Sequence, residues 1–412
     1  MLNNTKLNIY LVLLYTVLLS MACYSWWPSN FYLLGGDDIK YEYIDPISRV
    51  NGILNLDFLS KIGSESSLLT DISGAPFYIF LAVIKLCLPF INLQKLIYSI
   101  VLGGGFLGFY WMTNIFVYSK AKKDNITLVI QFVSANVYAF STYNIVTLWD
   151  HQLPIFVDIA LIPIIFGLFV RSTINFSIKD CILAGILISI SPLPYGSIPW
   201  TLPVVFCGAP LFLTLTVNHF KSASCTLLLT LASSVIFLMP TIITSLDIKP
   251  FTTSMFNDYQ MAASVRIFKA VNEGNSLIDL IAMLPPQEFL KIKIYPLKEW
   301  AIGFQIQTYL ILIIVLSLTI SAILNFKNKN NYVLIGILLS WFLCLFLFAG
   351  VGNFSLNLIT NIVEHLPFLI MFRNSYDKFS MAISLYSSLS ILCLLMSLHQ
   401  STIKMQLNDE II

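Results

Sequence analysis

Charged residues are scarce in this sequence. Only 11% of its 412 residues are Asp, Glu, Lys or Arg, whereas 57% are hydrophobic and long apolar runs recur from end to end. This composition excludes a soluble domain and indicates an integral membrane protein with many spans. The net charge is only +2, and no basic tail or aromatic-basic patch is present. Nucleic acid is therefore not an expected partner.

Paired cysteines, internal repeats and low-complexity linkers are also lacking. The seven cysteines lie inside apolar runs without C-x-x-C spacing, which argues against disulfides and zinc and favours packing roles. Without an internal repeat, the transporters built from repeated halves are a poor match. Residues 1–412 are accordingly described as one membrane domain.

Long apolar runs predict an all-α polytopic membrane protein. The first run, Leu7 to Trp27, follows Lys6 and lacks a small-residue cleavage site, so it is expected to be a retained first helix. A spanning helix needs roughly 20 apolar residues, which gives about ten transmembrane helices in all. The other spans are expected at 95–118, 126–147, 153–170, 180–199, 201–218, 223–245, 306–325, 331–350 and 378–398.

The stretch Gly74 to Phe90 decides the topology. It is apolar but short, contains Lys85 and has proline near both ends. If it lies along or dips into the outer interface, every basic loop falls in the cytoplasm, as the positive-inside rule requires. Those basic positions are Lys6, residues 120–123, Arg171 with Lys179, Lys221, residues 327–329 and Lys404. Interfacial helices are then expected in a long first outer loop, 28–94, and a second long outer loop spans 246–305.

Acidic residues gather early in the first outer loop. Asp37 and Asp38 follow a glycine pair, and either carboxylate could act as a general base on a hydroxyl. The alternative is that an aspartate caps a helix over the following residues. Glu42 is a weaker candidate for substrate binding, and Asp45 before Pro46 is expected to end that helix.

A second polar group lies between two predicted spans. Trp149, Asp150 and His151 suit sugar binding, with the indole stacking on a ring, or else form an aromatic anchor at a polar turn. Asp158 is expected about two turns deeper. An acid inside a span is costly and by default indicates a functional site, with a structural hydrogen bond as the alternative.

Cations precede the last span. Arg373 and Lys378 lie between aromatic residues close to the outer interface. Such side chains can clamp a phosphate, or they can extend to lipid headgroups. The acidic cluster on the same face favours the phosphate.

Five stretches together resemble the GT-C superfamily of integral-membrane glycosyltransferases. They are "GGDDIKYEY", "SGAPFYIFLAVIKLCLPF", "YWMTNIFVYSKAKKDNITLVIQFVSANVYAFSTY", "WDHQLPIFVDIALIPIIFGLF" and "PFLIMFRNSYDKFS". The last two are similar to stretches of the arabinofuranosyltransferase branch. The compact length resembles the serotype-converting O-antigen glucosyltransferases of enteric bacteria and their phages.

The resemblance implies transfer of a sugar from a polyprenyl-phosphate carrier to a glycan hydroxyl, on the periplasmic face of the bacterial inner membrane. Asp37 or Asp38 would be the base, and Arg373 and Lys378 would hold the donor phosphate. No cofactor is required. A divalent metal could replace the cations, although two adjacent aspartates are few donors for a dedicated site.

Two other classes fit parts of the pattern. A lipid-linked oligosaccharide flippase or another transporter predicts charges deep in the spans, where Asp158 is the main example. An O-antigen polymerase would use arginines of two large outer loops, for which Arg49, Arg266 and Arg373 are candidates.

Overall fold

The structure is a computed structural model that describes residues 2–26, 32, 43–54, 65–117, 125–141, 144–145, 157–191, 198–247, 332–349 and 375–409. All eleven regular elements in these ranges are α-helices. They are α1 (Leu2–Tyr24), α2 (Pro46–Leu54), α3 (Glu65–Cys87), α4 (Leu93–Val117), α5 (Asn125–Ala139), α6 (Asp158–Ile174), α7 (Ile178–Ile190), α8 (Ile198–Asn218), α9 (Phe220–Asp247), α10 (Tyr332–Ala349) and α11 (Ser375–Asp409). The all-α prediction is confirmed for this part of the chain.

Two of these helices are long and apolar enough to cross a membrane. They are the Leu93–Phe116 part of α4, with a mean hydropathy of 1.4, and the Met381–His399 part of α11, with 1.9. Shorter apolar helices occupy most of the other predicted span positions within the described ranges. The number of ten spans stays a prediction, and the predicted span 306–325 lies outside the described residues.

The starts of two helices, α3 and α6, differ from the predicted starts, in both cases where polar residues meet an apolar run. Residues 74–87 of the stretch predicted as Gly74 to Phe90 belong to α3, which begins nine residues earlier, at Glu65, and ends at Cys87, so residues 88–90 lie in the turn after it. Helix α6 begins at Asp158, so this acid is the first residue of its helix instead of an internal one. Asp45 Oδ1 accepts a hydrogen bond from Ser48 N at 3.1 Å and caps the start of α2. The helix that Asp45 was expected to end falls on residues 38–42, which lie outside the described residues.

The helices form two compact units, which are described separately. The first contains α1 to α3, α4 through Met112, α6, α7, and α9 from Lys221. The second contains the end of α4 with α5, α8, α10 and α11.

In the first unit, α4 is packed closely by α1 and α6. Lys95 lies over the Tyr24 ring and Gly103 faces Ser20, so α1 runs antiparallel to α4. A Cβ added at Gly104 would lie 3.1 Å from Ala160 Cβ, and one at Gly108 would lie 3.0 Å from Ile164 Cγ1. The residue numbers of both partners increase by four from the first pair to the second, so α4 and α6 run parallel. The close contacts leave no room for larger side chains between the two helices.

In the second unit, hydroxyl groups join helices that are otherwise apolar. Ser384 Oγ of α11 lies 2.7 Å from Ser141 Oγ, just beyond α5, and Trp341 Nε1 of α10 donates to Ser387 Oγ at 2.9 Å. Tyr386 OH donates to the Val204 carbonyl of α8 at 2.6 Å. Such bonds satisfy polar groups between helices that lack a hydrophobic driving force within lipid.

Candidate functional site

Asp158 is fully buried at the first position of α6. Its exposed fraction is 0%, and neither carboxylate oxygen has a hydrogen-bond partner among the described residues. The preceding residue, Val157, provides no side-chain cap either. A buried acid without a bonded partner is costly to folding, because it loses its hydration and gains nothing in return. Packing alone therefore does not account for this side chain.

The helix register places Asp158 near the start of α4. Because Gly104 faces Ala160 in a parallel pair, Asp158 lies at about the level of Leu102. That level is seven residues from Lys95, or about 10 Å along the helix axis. We call the end of the first unit that holds Tyr24, Tyr43, Lys95 and Tyr98 the aromatic end. Asp158 lies about two helical turns from Lys95 along α4, toward the interior of the unit.

Lys95 is a buried cation at the aromatic end. Its side chain is 3% exposed, and Nζ lies 4.5 Å from the centre of the Tyr24 ring. The position arises locally: Asn92 Oδ1 accepts a hydrogen bond from Lys95 N at 3.1 Å and caps α4, which places Lys95 in the first turn. An aromatic face stabilises an ammonium group that has lost its water.

Arg49 is the second buried cation of this region. It is 9% exposed, and its guanidinium carbon lies 5.1 Å from the centre of the Tyr78 ring. Tyr43, three residues before α2, packs edge-on against Tyr98 at 6.2 Å and against Phe77 at 6.4 Å. Tyr43 therefore belongs to the aromatic end, and Asp37, Asp38 and Glu42 precede it in the sequence.

The opposite end of the first unit has a different arrangement. Arg171 donates from Nε and Nη2 to the two oxygens of Asp180, at 2.7 and 2.6 Å, and its guanidinium lies 5.1 Å from the Trp111 ring centre. Ser172 Oγ contacts Thr226 Oγ1 at 3.0 Å, so the start of α9 lies here as well. We call the region of Trp111, Arg171, Asp180 and Thr226 the basic end.

Of the residues predicted for the site, the structure describes one side chain, that of Asp158. Lys378 lies in the first turn of α11, and its side chain is outside the described set. The other predicted residues lie outside the described residues: Asp37, Asp38, Glu42, Trp149, Asp150, His151 and Arg373. Arg373 and Lys378 belong to the chain of the second unit and Asp158 to the first.

Sequence reasoning missed Lys95 and Tyr43. The signal for Lys95 was the polar run "NLQK", residues 92–95, at the start of the longest early apolar stretch. Asn92 there is a typical helix cap, so the following cation is held at the helix start. Tyr43 had no comparable signal, because a single tyrosine in a polar loop does not indicate burial.

Metal ligation finds no support in the described ranges. They contain no group of three or more His, Cys, Asp or Glu side chains placed to hold an ion. The Asp37–Asp38 pair, which left a divalent metal open, lies outside these ranges.

The resemblance to the GT-C superfamily is carried by the five sequence stretches alone. No protein-family model, curated protein or solved structure matches this chain.

Proposed function

We propose that this chain is a polytopic inner-membrane glycosyltransferase that moves a sugar from a polyprenyl-phosphate carrier to a glycan hydroxyl on the periplasmic face. The observation that carries the proposal is the set of buried charges at one end of the first unit: Asp158, Lys95 and Arg49. A buried ionisable group inside a membrane protein is by default a candidate for a functional site.

The exposed surface supports a membrane location. Large apolar side chains of α1 are exposed, among them Leu14, Val17 and Met21. Exposed apolar area of this extent indicates contact with lipid. The basic residues Arg171 and Lys221 lie at or near the basic end, which supports a cytoplasmic position for that end under the positive-inside rule.

The chemistry requires a base and an anion-stabilising group. A carboxylate at Asp37 or Asp38 removes the proton from the acceptor hydroxyl, whose oxygen attacks the anomeric carbon of the donor. The bond from that carbon to the phosphate oxygen breaks, and polyprenyl phosphate leaves with the electron pair, so the reaction inverts the anomeric centre. Cations stabilise the leaving phosphate. Arg373 and Lys378 take this role by resemblance, and the buried cations Lys95 and Arg49 add positive potential at the aromatic end.

Chain connectivity supports the choice of base. Asp38 is five residues before Tyr43, so a fully extended chain keeps their Cα atoms within about 18 Å. Tyr43 packs against Tyr98 in the aromatic end. The chain length therefore allows Asp38 to reach the aromatic end, and Glu42 directly precedes Tyr43 in the sequence. The sugar-binding roles of Trp149, Asp150 and His151 belong to the same proposal, because these residues shortly precede Asp158.

The test is transfer from a polyprenyl-phosphate sugar by membranes that contain each variant. Asp37→Asn or Asp38→Asn abolishes transfer while the protein still inserts, and removal of the gene product changes the surface polysaccharide of the cell. Full activity in both variants contradicts the base assignment.

Cysteine labelling at positions 119 and 375 reports opposite sides of the membrane. Labelling of both from outside contradicts the interfacial placement of the α3 region.

The polymerase alternative is favoured by one observation, the burial of Arg49 against Tyr78. It predicts that Arg49→Lys abolishes activity and that the aspartate variants retain it. A transporter instead moves the intact lipid-linked oligosaccharide and releases no polyprenyl phosphate.

A further inference from the structure

The turn between α3 and α4 presents an apolar tip. Phe90 is 100% exposed and Leu86 is 69% exposed, with Leu88 exposed between them. We call these three residues the apolar tip. In water such a group of side chains is unfavourable, because much of its apolar area stays hydrated.

The backbone of this turn is largely satisfied within the turn itself. Leu88 N donates to the Ile84 carbonyl at 2.8 Å, and Ile91 N donates to the Leu88 carbonyl at 3.2 Å. Lys85 Nζ donates to the Pro89 carbonyl at 3.0 Å, and Pro89 has no N–H of its own. In a hydrocarbon environment backbone polar groups need internal partners, and this turn provides many of them.

The apolar tip continues one exposed face of α3. Ile79, Phe80, Val83 and Leu86 follow helical spacing and are all exposed, so they form a single strip that leads to Phe90. The opposite face of the helix is buried against the first unit. The strip and the tip are thus a continuous apolar surface.

Polar groups bound this surface on one side. Lys85 Nζ lies at the Pro89 carbonyl, at the edge of the apolar tip, and its charge acts on Asp45, which is exposed at the start of α2. An ammonium group at the edge of an apolar patch is the pattern of a side chain that extends to lipid headgroups. Leu93, the first residue of the candidate span in α4, follows Phe90 by three positions. These features identify the partner as lipid, with acyl chains against the apolar tip and headgroups at Lys85.

We infer that Leu86, Leu88 and Phe90 insert into the acyl region of the outer leaflet and anchor the aromatic end at the level where a lipid-linked substrate carries its phosphate. This inference rests on the membrane location in the proposed function, but it does not require the transfer reaction.

Spin labels at chosen cysteines test the insertion. The parent protein carries Cys87→Ala, Cys225→Ala and Cys393→Ala, because the remaining cysteines are buried. Phe90→Cys and Leu86→Cys place labels on the apolar tip. In lipid nanodiscs both labels are expected to be accessible to molecular oxygen and protected from a water-soluble nickel chelate. Leu86→Cys supplies the measurement if Phe90→Cys does not fold.

Two control positions separate the possible failures. Asn51→Cys lies on the exposed side of α2 and is expected to react with the nickel chelate. Leu14→Cys lies on the exposed face of α1 and is expected to behave as a lipid-facing label. If the tip labels behave like position 51 while position 14 is protected, the insertion inference is overturned. If position 14 is also open to nickel, the membrane location itself fails.

Discussion

At the basic end of the first unit a buried acid is bonded to its own arginine, whereas a more deeply buried acid two turns inside the aromatic end has no such partner among the described residues. Asp180 accepts two hydrogen bonds from Arg171 at 2.7 and 2.6 Å. Asp158 accepts none among the described residues and is completely enclosed. Both acids lie near the start of a helix, so the helix dipole does not distinguish them.

The difference separates a structural role from a functional one. An ion pair with two-pronged geometry holds α6 to α7 and leaves its acid satisfied. An enclosed acid without a bonded partner lowers the stability of the fold, so its presence requires a compensating favourable interaction or a functional advantage. We propose that a polar ligand at the aromatic end compensates for this cost and that Asp158 is one of the residues that bind the substrate.

The largest effect is expected at Asp158. Replacing Asp158 with Leu removes an unsatisfied polar group, so the free energy of unfolding in detergent rises by about 1–3 kcal/mol. If Asp158 binds the substrate as proposed, the same change removes a hydrogen bond to it and lowers kcat/KM for sugar transfer roughly 10- to 100-fold. Thermal unfolding and a donor-dependent transfer assay measure the two quantities.

Asp158→Asn is the isosteric control, and it is expected to lose activity with a smaller gain in stability. A destabilised Asp158→Leu variant with normal transfer would place this residue with the structural acids.

A smaller effect of opposite sign is expected at the basic end. Arg171→Ala leaves Asp180 without its two donors and lowers the free energy of unfolding by about 1–2 kcal/mol, a value reduced because Arg171 is partly exposed. Transfer activity per folded molecule is expected to stay unchanged. Lys179→Ala, an exposed neighbour on α7, is the matched control and should change stability by less than about 0.5 kcal/mol. Loss of transfer in Arg171→Ala without loss of stability would remove the distinction between the two ends.

The smallest effect is expected at Asp45, which caps α2 next to the aromatic end. Hydrogen bonds from Ser48 lower the pKa of this carboxyl below its ordinary value of 3.8. The cap therefore contributes its full stability above pH 3.8, and that contribution is lost as the pH falls through the lowered pKa. Asp45→Ala is expected to cost about 1 kcal/mol at neutral pH. Asp45→Asn should keep the cap but lose this part of the acid sensitivity; identical acid profiles for Asp45→Asn and the unmodified protein would contradict the assignment.

The apolar helices were largely predictable from the sequence, but some of their ends were not. Helix α4 lies at Leu93–Val117 against a predicted 95–118, because a long apolar run fixes both its type and its position. Helix α5 ends at Ala139 instead of 147. There Asn144 Nδ2 donates to the Tyr138 carbonyl at 2.7 Å and closes the helix end locally, which hydropathy does not detect. Helix α3 gains its first nine residues from a polar stretch that a search for apolar runs omits.

The site was predictable only in part. An acid in an apolar run identified Asp158, but its place at the first position of α6 depends on where that helix begins, which hydropathy gives poorly. Lys95 and Tyr43 acquire their roles from contacts with Tyr24 and Tyr98, which are distant in the sequence. No pattern along one stretch of chain reports such contacts, because they arise from the packing of α1, and of the residue Tyr43 before α2, against α4.

The most direct test of the account is to map where the carrier binds. A photoreactive polyprenyl phosphate is added to membranes that contain the protein, and the cross-linked peptides are identified by mass spectrometry. We expect adducts in residues 88–99, which include Lys95 and Tyr98 of the aromatic end, and in the sequence segment 28–54, which contains Tyr43, with strong competition by unlabelled polyprenyl phosphate. Adducts confined to residues 171–181 and 219–226 of the basic end, or labelling no greater than that from a photoreactive phospholipid, would contradict it.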